Sequence, residues 1–98
     1  MKFGLKEKTL NQITSIFKKF TNIQKALIYG SRAKGNFRNG SDIDIVLVGE
    51  NLTINDLIKI SSLLDDLLLP YTIDLSIYHK IKNPELIKHI DRVGVLIF

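Results

Sequence analysis

Two aspartates separated by one residue, Asp42 and Asp44, are the side chains whose type and spacing best suit chemistry. They begin a run that is apolar as far as Val48, and this pattern predicts a β-strand. Residues two apart on a strand point to one face, with Cα atoms roughly 6.6 Å apart. Two like charges at that distance repel by about 2–3 kcal/mol at an effective dielectric near ~20. Hard divalent cations with oxygen ligands are the usual counter-charge, so the pair predicts a metal site.

A third acid, Asp74, stands between Ile73 and Leu75 in a later run that also predicts a strand. If that strand lies beside the first, three carboxylates meet on one surface. We therefore expect Asp42, Asp44 and Asp74 to be metal ligands at the site that carries the chemistry. The alternative is that Asp42 only caps a turn and that Asp74 faces solvent.

The connection that precedes the paired acids, Gly30 to Ser41, contains three cations and no acid, which suits an anion. Gly30 breaks the preceding strand, and Ser31 is predicted to cap a short helical turn. The free backbone N–H groups at the start of that turn can hold phosphate oxygens. A nucleoside triphosphate bound with a divalent metal would satisfy both the loop and the acids. Alternatively, Gly30 and Ser31 only form a tight strand-to-helix turn. The three loop cations are Arg32, Lys34 and Arg38.

Other known motifs do not fit this stretch. A P-loop requires Lys and Ser or Thr after its second glycine, and Asn36 and Phe37 stand there. His79 and His89 lack metal-ligand spacing, and we expect both to be surface residues.

Apolar spacing and punctuating residues predict the elements that must position the acids. Thr53 and Asp56 resemble a helix capping box, and Asn83 followed by Pro84 is a helix start. The predicted elements are a helix from about Leu5 to Phe20, a strand Ala26 to Tyr29, a strand Asp42 to Val48, a helix Thr53 to Leu69, a strand Tyr71 to Tyr78, a helix from Asn83 to about Arg92 and a short edge strand Val95 to Phe98.

Length and composition limit the possible classes of protein. The chain has 98 residues, so we expect a single domain, residues 1–98. It contains no cysteine, which excludes a disulfide framework and fits a reducing cytoplasm. No apolar run approaches the roughly 18 residues of a membrane span, so we predict a cytoplasmic protein. The net charge of +4 is dispersed, and no patch indicates direct binding of nucleic acid.

Gly30-Ser31, ten further residues and then Asp42-Ile43-Asp44 resemble the signature of the minimal nucleotidyltransferases of the DNA polymerase beta superfamily. The resemblance covers nearly the whole chain, since the order of predicted helices and strands also fits. The match further includes Ala33, Gly35, Ser41 and Asp74.

The resemblance implies an α+β nucleotidyltransferase fold, with a small mixed β-sheet that carries three carboxylates and is flanked by helices. It implies metal-dependent transfer of AMP from ATP to a hydroxyl group. The three aspartates would hold two magnesium ions, and Asp74 would also help to remove the proton of the acceptor. Gly30 and Ser31 would seat the β- and γ-phosphates, and we assign Arg32 and Ser41 to nucleotide binding as well.

Small members of this family resemble the antitoxins that are paired with HEPN-domain ribonuclease toxins. The resemblance therefore implies a hetero-oligomer with a HEPN ribonuclease, in which AMPylation of a tyrosine hydroxyl on the toxin inactivates it. The apolar C-terminal end and the apolar-rich helix starting at Thr53 offer surface for such a partner. The competing interpretation is a non-catalytic module that neutralises its partner by binding alone.

Overall fold

The structure is a computed structural model and describes residues 2–98, in which four helices, four strands and one 3₁₀ turn alternate. In chain order they are α1 (Glu7–Phe17), β1 (Lys25–Tyr29), α2 (Gly30–Lys34), β2 (Ile43–Val48), α3 (Ile54–Asp65), β3 (Ile73–Ile77), the 3₁₀ turn (Tyr78–Lys80), α4 (Pro84–Val93) and β4 (Val95–Leu96).

The strands form one mixed sheet in the order β3-β2-β1-β4. β1 pairs antiparallel with both β2 and β4, whereas β2 and β3 are parallel and are joined through α3. β4 is an edge strand of two residues, as predicted for the C-terminal end but shorter. The predicted mixed sheet flanked by helices is confirmed.

Helices cover both faces of the sheet, and alternation along β2 decides which side chains meet which helices. Ile43, Ile45 and Leu47 are fully buried in the larger cluster, which includes the apolar residues of α1 and α3. Val46 is also fully buried but belongs to a second cluster with Ile90 of α4. Asp44 has the same parity as Val46, so its carboxylate lies on the face that α4 covers.

The C-terminal end of α3 differs from the prediction, whereas its N-terminal cap agrees with it. The capping box of α3 is present, with the Asp56 N–H donating to Thr53 Oγ1 (3.2 Å) and the Thr53 N–H donating to Asp56 Oδ2 (3.1 Å). However, α3 ends at Asp65 rather than Leu69. Leu68 has a left-handed backbone (φ +53°) and an 88% exposed side chain. The following Pro70 cannot continue a helix and restricts the residue before it.

Helix α1 begins at Glu7 rather than Leu5, because Leu5 pairs with Lys2 in an isolated bridge and Lys6 is extended at the N-cap (ψ 150°). Its end, Phe17, falls before the predicted Phe20. Within residues 2–98, no helix has both the length and the apolar character needed to cross a membrane.

Candidate active site

The strand register brings two of the predicted carboxylates side by side. Asp44 of β2 is the direct partner of Asp74 on β3, and on its other side it is paired with Tyr29, the last residue of β1. Asp74 and Asp44 alternate in the same way with core residues, so both lie on the α4 face. The candidate site therefore lies where β1 ends and where β2 and β3 begin.

The three predicted acids influence one another electrostatically. Burial raises the pKa of Asp44 above its ordinary value, and the charges of Asp74 and Asp42 raise it further, whereas His89 acts in the opposite direction. Within residues 2–98 the one ion pair joins Lys88 and Glu85 (3.8 Å), so no lysine or arginine in that range neutralises these carboxylates. The charge that opposes the acids at Asp44 is therefore that of His89, and not that of a lysine or arginine.

A divalent metal fits this donor set chemically. The three aspartates offer only carboxylate oxygens, which Mg²⁺ prefers, and within residues 2–98 no lysine or arginine forms an ion pair with them. In the part of the chain that the structure describes, no three carboxylate, imidazole or thiol groups are gathered tightly enough to hold a single ion. The three carboxylates therefore lie near one another, but they are not arranged tightly enough to hold one ion together.

Asp42 does not lie on the strand, contrary to the prediction. β2 begins one residue later at Ile43, whose N–H donates to the carbonyl of Thr72 (2.8 Å), and Asp42 itself is exposed. Sheet pairing therefore holds Asp44 and Asp74 but does not hold Asp42. The position of Asp42 depends on the loop that leads to it.

Gly30 lies directly against the Asp44 carboxylate. It has φ +75°, and a Cβ atom placed on it would overlap Asp44 Oδ2. Helix α2 begins at this glycine, with Tyr29 in extended conformation at its N-cap and no capping side chain. The prediction that Ser31 caps the turn is therefore wrong; Ser31 is instead half-buried in the first turn of α2.

Arg32 and Ser41, which we assigned to nucleotide binding, make contacts within the protein. The Arg32 side chain is only 2% exposed, and its guanidinium donates to backbone carbonyls. The hydroxyl of Ser41 accepts a hydrogen bond from the N–H of Arg38 (2.9 Å). The other two loop cations, Lys34 and Arg38, are exposed.

His89 and Tyr29 also lie at the site, and sequence reasoning missed both. The two rings meet edge to face, with centroids 6.1 Å apart. Both histidines were predicted to be surface residues; His79 is exposed, whereas His89 is half-buried. Burial raises the pKa of Tyr29, Ser76 acts in the opposite direction, and the nearby Asp74 and Asp44 raise the pKa further. The available signal was position, since His89 is three residues after the core-facing Leu86 on α4.

Comparison with known proteins gives a family and several similar folds. The family described as polymerase beta, nucleotidyltransferase matches residues 11–98. No curated protein matches the sequence significantly. A chain of a toxin–antitoxin complex with AMP-PNP superposes with a TM-score of 0.75 at 20% identity, covering 91% of this chain and 72% of that one.

Two further solved structures are similar. A chain of the toxin–antitoxin complex MntA–HepT has a TM-score of 0.71 at 17% identity, over 95% of this chain and 72% of its own. A chain of the complex between the tri-AMPylated HEPN toxin of Shewanella oneidensis and its MNT antitoxin gives 0.71 at 17% identity, over 96% and 72%. At such identities the likeness concerns the fold.

Proposed function

Because this chain belongs to the polymerase beta nucleotidyltransferase family, we propose that it transfers AMP from ATP to a hydroxyl group of a partner protein. The observation that carries the proposal is the pairing of Asp44 with Asp74 directly beside Gly30, with Asp42 close enough to raise the pKa of Asp44. A cluster of carboxylates next to a helical turn that begins with glycine can accommodate a metal-bound triphosphate.

Each residue has a stated task in this proposal. Asp42, Asp44 and Asp74 would hold two Mg²⁺ ions, which when bound would neutralise the charge of the triphosphate. The first turn of α2 would seat the β- and γ-phosphates through Gly30 and Ser31. Asp74 is exposed and would accept the proton of the acceptor hydroxyl. That oxygen then bonds to the α-phosphorus, the bond to the β-phosphate oxygen breaks, and pyrophosphate leaves.

We further propose that the acceptor is a tyrosine of a HEPN-domain ribonuclease toxin and that this chain is its cytoplasmic antitoxin. The support is likeness in fold to chains of toxin–antitoxin complexes, one of them containing an AMPylated HEPN toxin. Several large apolar side chains are also exposed, as expected for a partner surface. They are Ile54 (52%), Ile58 (62%), Leu68 (88%), Val95 (40%) and Leu96 (59%).

The proposal is tested by incubating the protein with ATP, Mg²⁺ and the protein encoded beside it, which the proposal expects to be a HEPN ribonuclease. We expect the mass of the HEPN protein to increase by one or more AMP units and its RNA cleavage to stop, since an added anion repels the RNA backbone. Omission of Mg²⁺ and the Asp42→Asn variant should each prevent the mass change.

The second candidate is neutralisation by binding alone, and the open arrangement of the three acids is the observation that favours it. In that case an Asp42→Asn, Asp44→Asn protein would inhibit the toxin as well as wild type does. An unchanged mass of the toxin in both reactions would then refute nucleotide transfer.

Asp74→Asn is expected to reduce transfer by about 10²–10⁴-fold, because a positioned proton acceptor contributes that much to rate. The affinity for Mg²⁺–ATP should stay within a few-fold of wild type, because Gly30, Ser31 and the other two acids remain. Single-turnover transfer and equilibrium nucleotide binding measure the two effects separately. Asp65→Asn, at an exposed acid that ends α3, is the matched control. Full transfer by Asp74→Asn would leave Asp74 without a catalytic role.

A further inference from the structure

The Arg32 side chain is a buried cation whose partners are all neutral. Its Nε and Nη2 atoms both donate to the carbonyl oxygen of Ser41, at 3.1 and 2.8 Å, and Nη1 donates to the carbonyl oxygen of Phe3 at 2.8 Å. No carboxylate within residues 2–98 forms an ion pair with it. Arginine is almost never buried without a compensating partner, so these contacts with carbonyl dipoles must offset its desolvation.

Two aromatic rings complete this enclosure. The guanidinium carbon lies 5.1 Å from the ring centroid of Phe37 in the same loop and 4.8 Å from that of Tyr71, just before β3. Gly4 closes the other side, because a Cβ atom there would overlap the Phe37 ring and lie 3.0 Å from Arg32 Nη1. One side chain thus joins the N-terminal segment, the loop and the entry to β3.

This arrangement explains how Asp42 can be held although it lies outside the sheet. Arg32 is in α2, two residues after Gly30. Its guanidinium donates to the carbonyl of Ser41, the residue immediately before Asp42. A residue near the start of the segment from Gly30 to Asp42 is therefore hydrogen-bonded to the end of the same segment. A phosphate could not reach that guanidinium while it remains 2% exposed.

We propose that Arg32 is a positioning residue, which sets Asp42 relative to Asp44 and does not contact the nucleotide. This inference rests on the proposed transfer reaction for its catalytic consequence, but its structural part can be measured without it. It replaces the initial assignment of Arg32 to nucleotide binding with a role that depends on the geometry of the guanidinium fork.

Amide hydrogen exchange tests the structural part. Arg32→Lys keeps the charge, but a single ammonium cannot reproduce the fork to Ser41 and the bond to Phe3 together. We expect exchange of the hydrogen-bonded loop amides of Gly35, Arg38 and Ser41 to become about tenfold faster or more, as the loss of one such bond implies. Exchange in α3 should not change. Arg92→Lys, at an exposed arginine of α4, is the matched control.

Steady-state kinetics test the catalytic part. With Arg32→Lys we expect kcat for transfer to fall by about 10²-fold, as a misplaced catalytic group commonly causes. The KM for ATP should change by less than a few-fold, because Arg32 does not contact the nucleotide. An arginine that bound phosphate would instead raise KM in the lysine variant and leave the loop amides protected, and that result would overturn the proposal.

The structural part and the catalytic part of the proposal can be refuted independently. If wild type transfers no nucleotide, the proposed function is wrong, and hydrogen exchange alone decides whether Arg32 holds the loop. If Arg32→Lys does not fold, Phe37→Leu removes one ring and no hydrogen bond of the guanidinium. We expect that variant to be folded, to exchange faster in the loop and to lose part of kcat. Unchanged exchange and unchanged kcat in Phe37→Leu would contradict the inference.

Discussion

Nucleotide transfer is expected to fall by about 10³-fold or more when Asp42 and Asp44 are both replaced by asparagine. Two of the three carboxylates that would hold the Mg²⁺ ions then lose their charge. The electrostatic stabilisation that bound ions would supply to the transferring group, usually the largest contribution to catalysis, is lost as a result. Mg²⁺–ATP binding by calorimetry and transfer of labelled AMP measure the effect. Asp65→Asn with Asp66→Asn, two exposed acids at the end of α3, removes the same charge elsewhere and should have no effect on either.

The Asp44→Asn part of this double substitution should not destabilise the protein. Loss of transfer can therefore be distinguished from unfolding. The pKa of Asp44 is raised in the folded state by burial, then by Asp74 and Asp42. Such a group binds a proton more tightly when folded, so its stabilising contribution is present at low pH and is lost as pH rises through the raised pKa. Asp44→Asn is therefore expected to raise the melting temperature at neutral pH and to reduce this pH dependence. If the melting temperature fell instead, unfolding would explain the lost activity.

The face of the sheet on which Asp44 and Asp74 lie was predictable, because strand periodicity fixes it. That β2 and β3 are neighbours was only a condition of the prediction, and Asp42 lies outside the strand on which it was predicted. Residues of β2 that alternate with Asp44 are fully apolar, and a slip of one residue would place a carboxylate in the larger core. The same reasoning applies to Asp74, whose neighbours Ile73 and Leu75 pack against that core. Burial on both faces therefore specifies which side of the sheet carries the site.

The roles of Arg32 and His89 were not predictable, because contacts distant in sequence decide them. A cation in a glycine-containing loop normally faces solvent or an anion. The carbonyl of Phe3 and the ring of Tyr71, both distant in sequence, help to enclose Arg32. His89 became a site residue because α4 packs against the end of β1, where its ring meets Tyr29. The spacing of His89 from Leu86 indicates the buried side of α4, but it does not indicate the contact with Tyr29.

The glycine at the start of α2 allows the sharpest test of how the site is assembled. Gly30→Ala is expected to reduce transfer by about 10²-fold, because the new methyl group would overlap the Asp44 carboxylate and force it to move. Nucleotide transfer and the melting temperature should be measured together, since a left-handed residue with a side chain also costs roughly 1 kcal/mol of stability.

Gly40→Ala separates steric displacement of Asp44 from backbone strain. Gly40 has φ +85°, so alanine is strained there as well, yet no heavy atom lies within 4 Å of its added Cβ. We expect Gly40→Ala to lose a comparable amount of stability and to keep transfer within a few-fold of wild type. If both variants lost transfer equally, strain in the loop and not the approach of Gly30 to Asp44 would account for the requirement. If neither lost transfer, the position of the Asp44 carboxylate would not limit the reaction, and its proposed place at the centre of the site would be wrong.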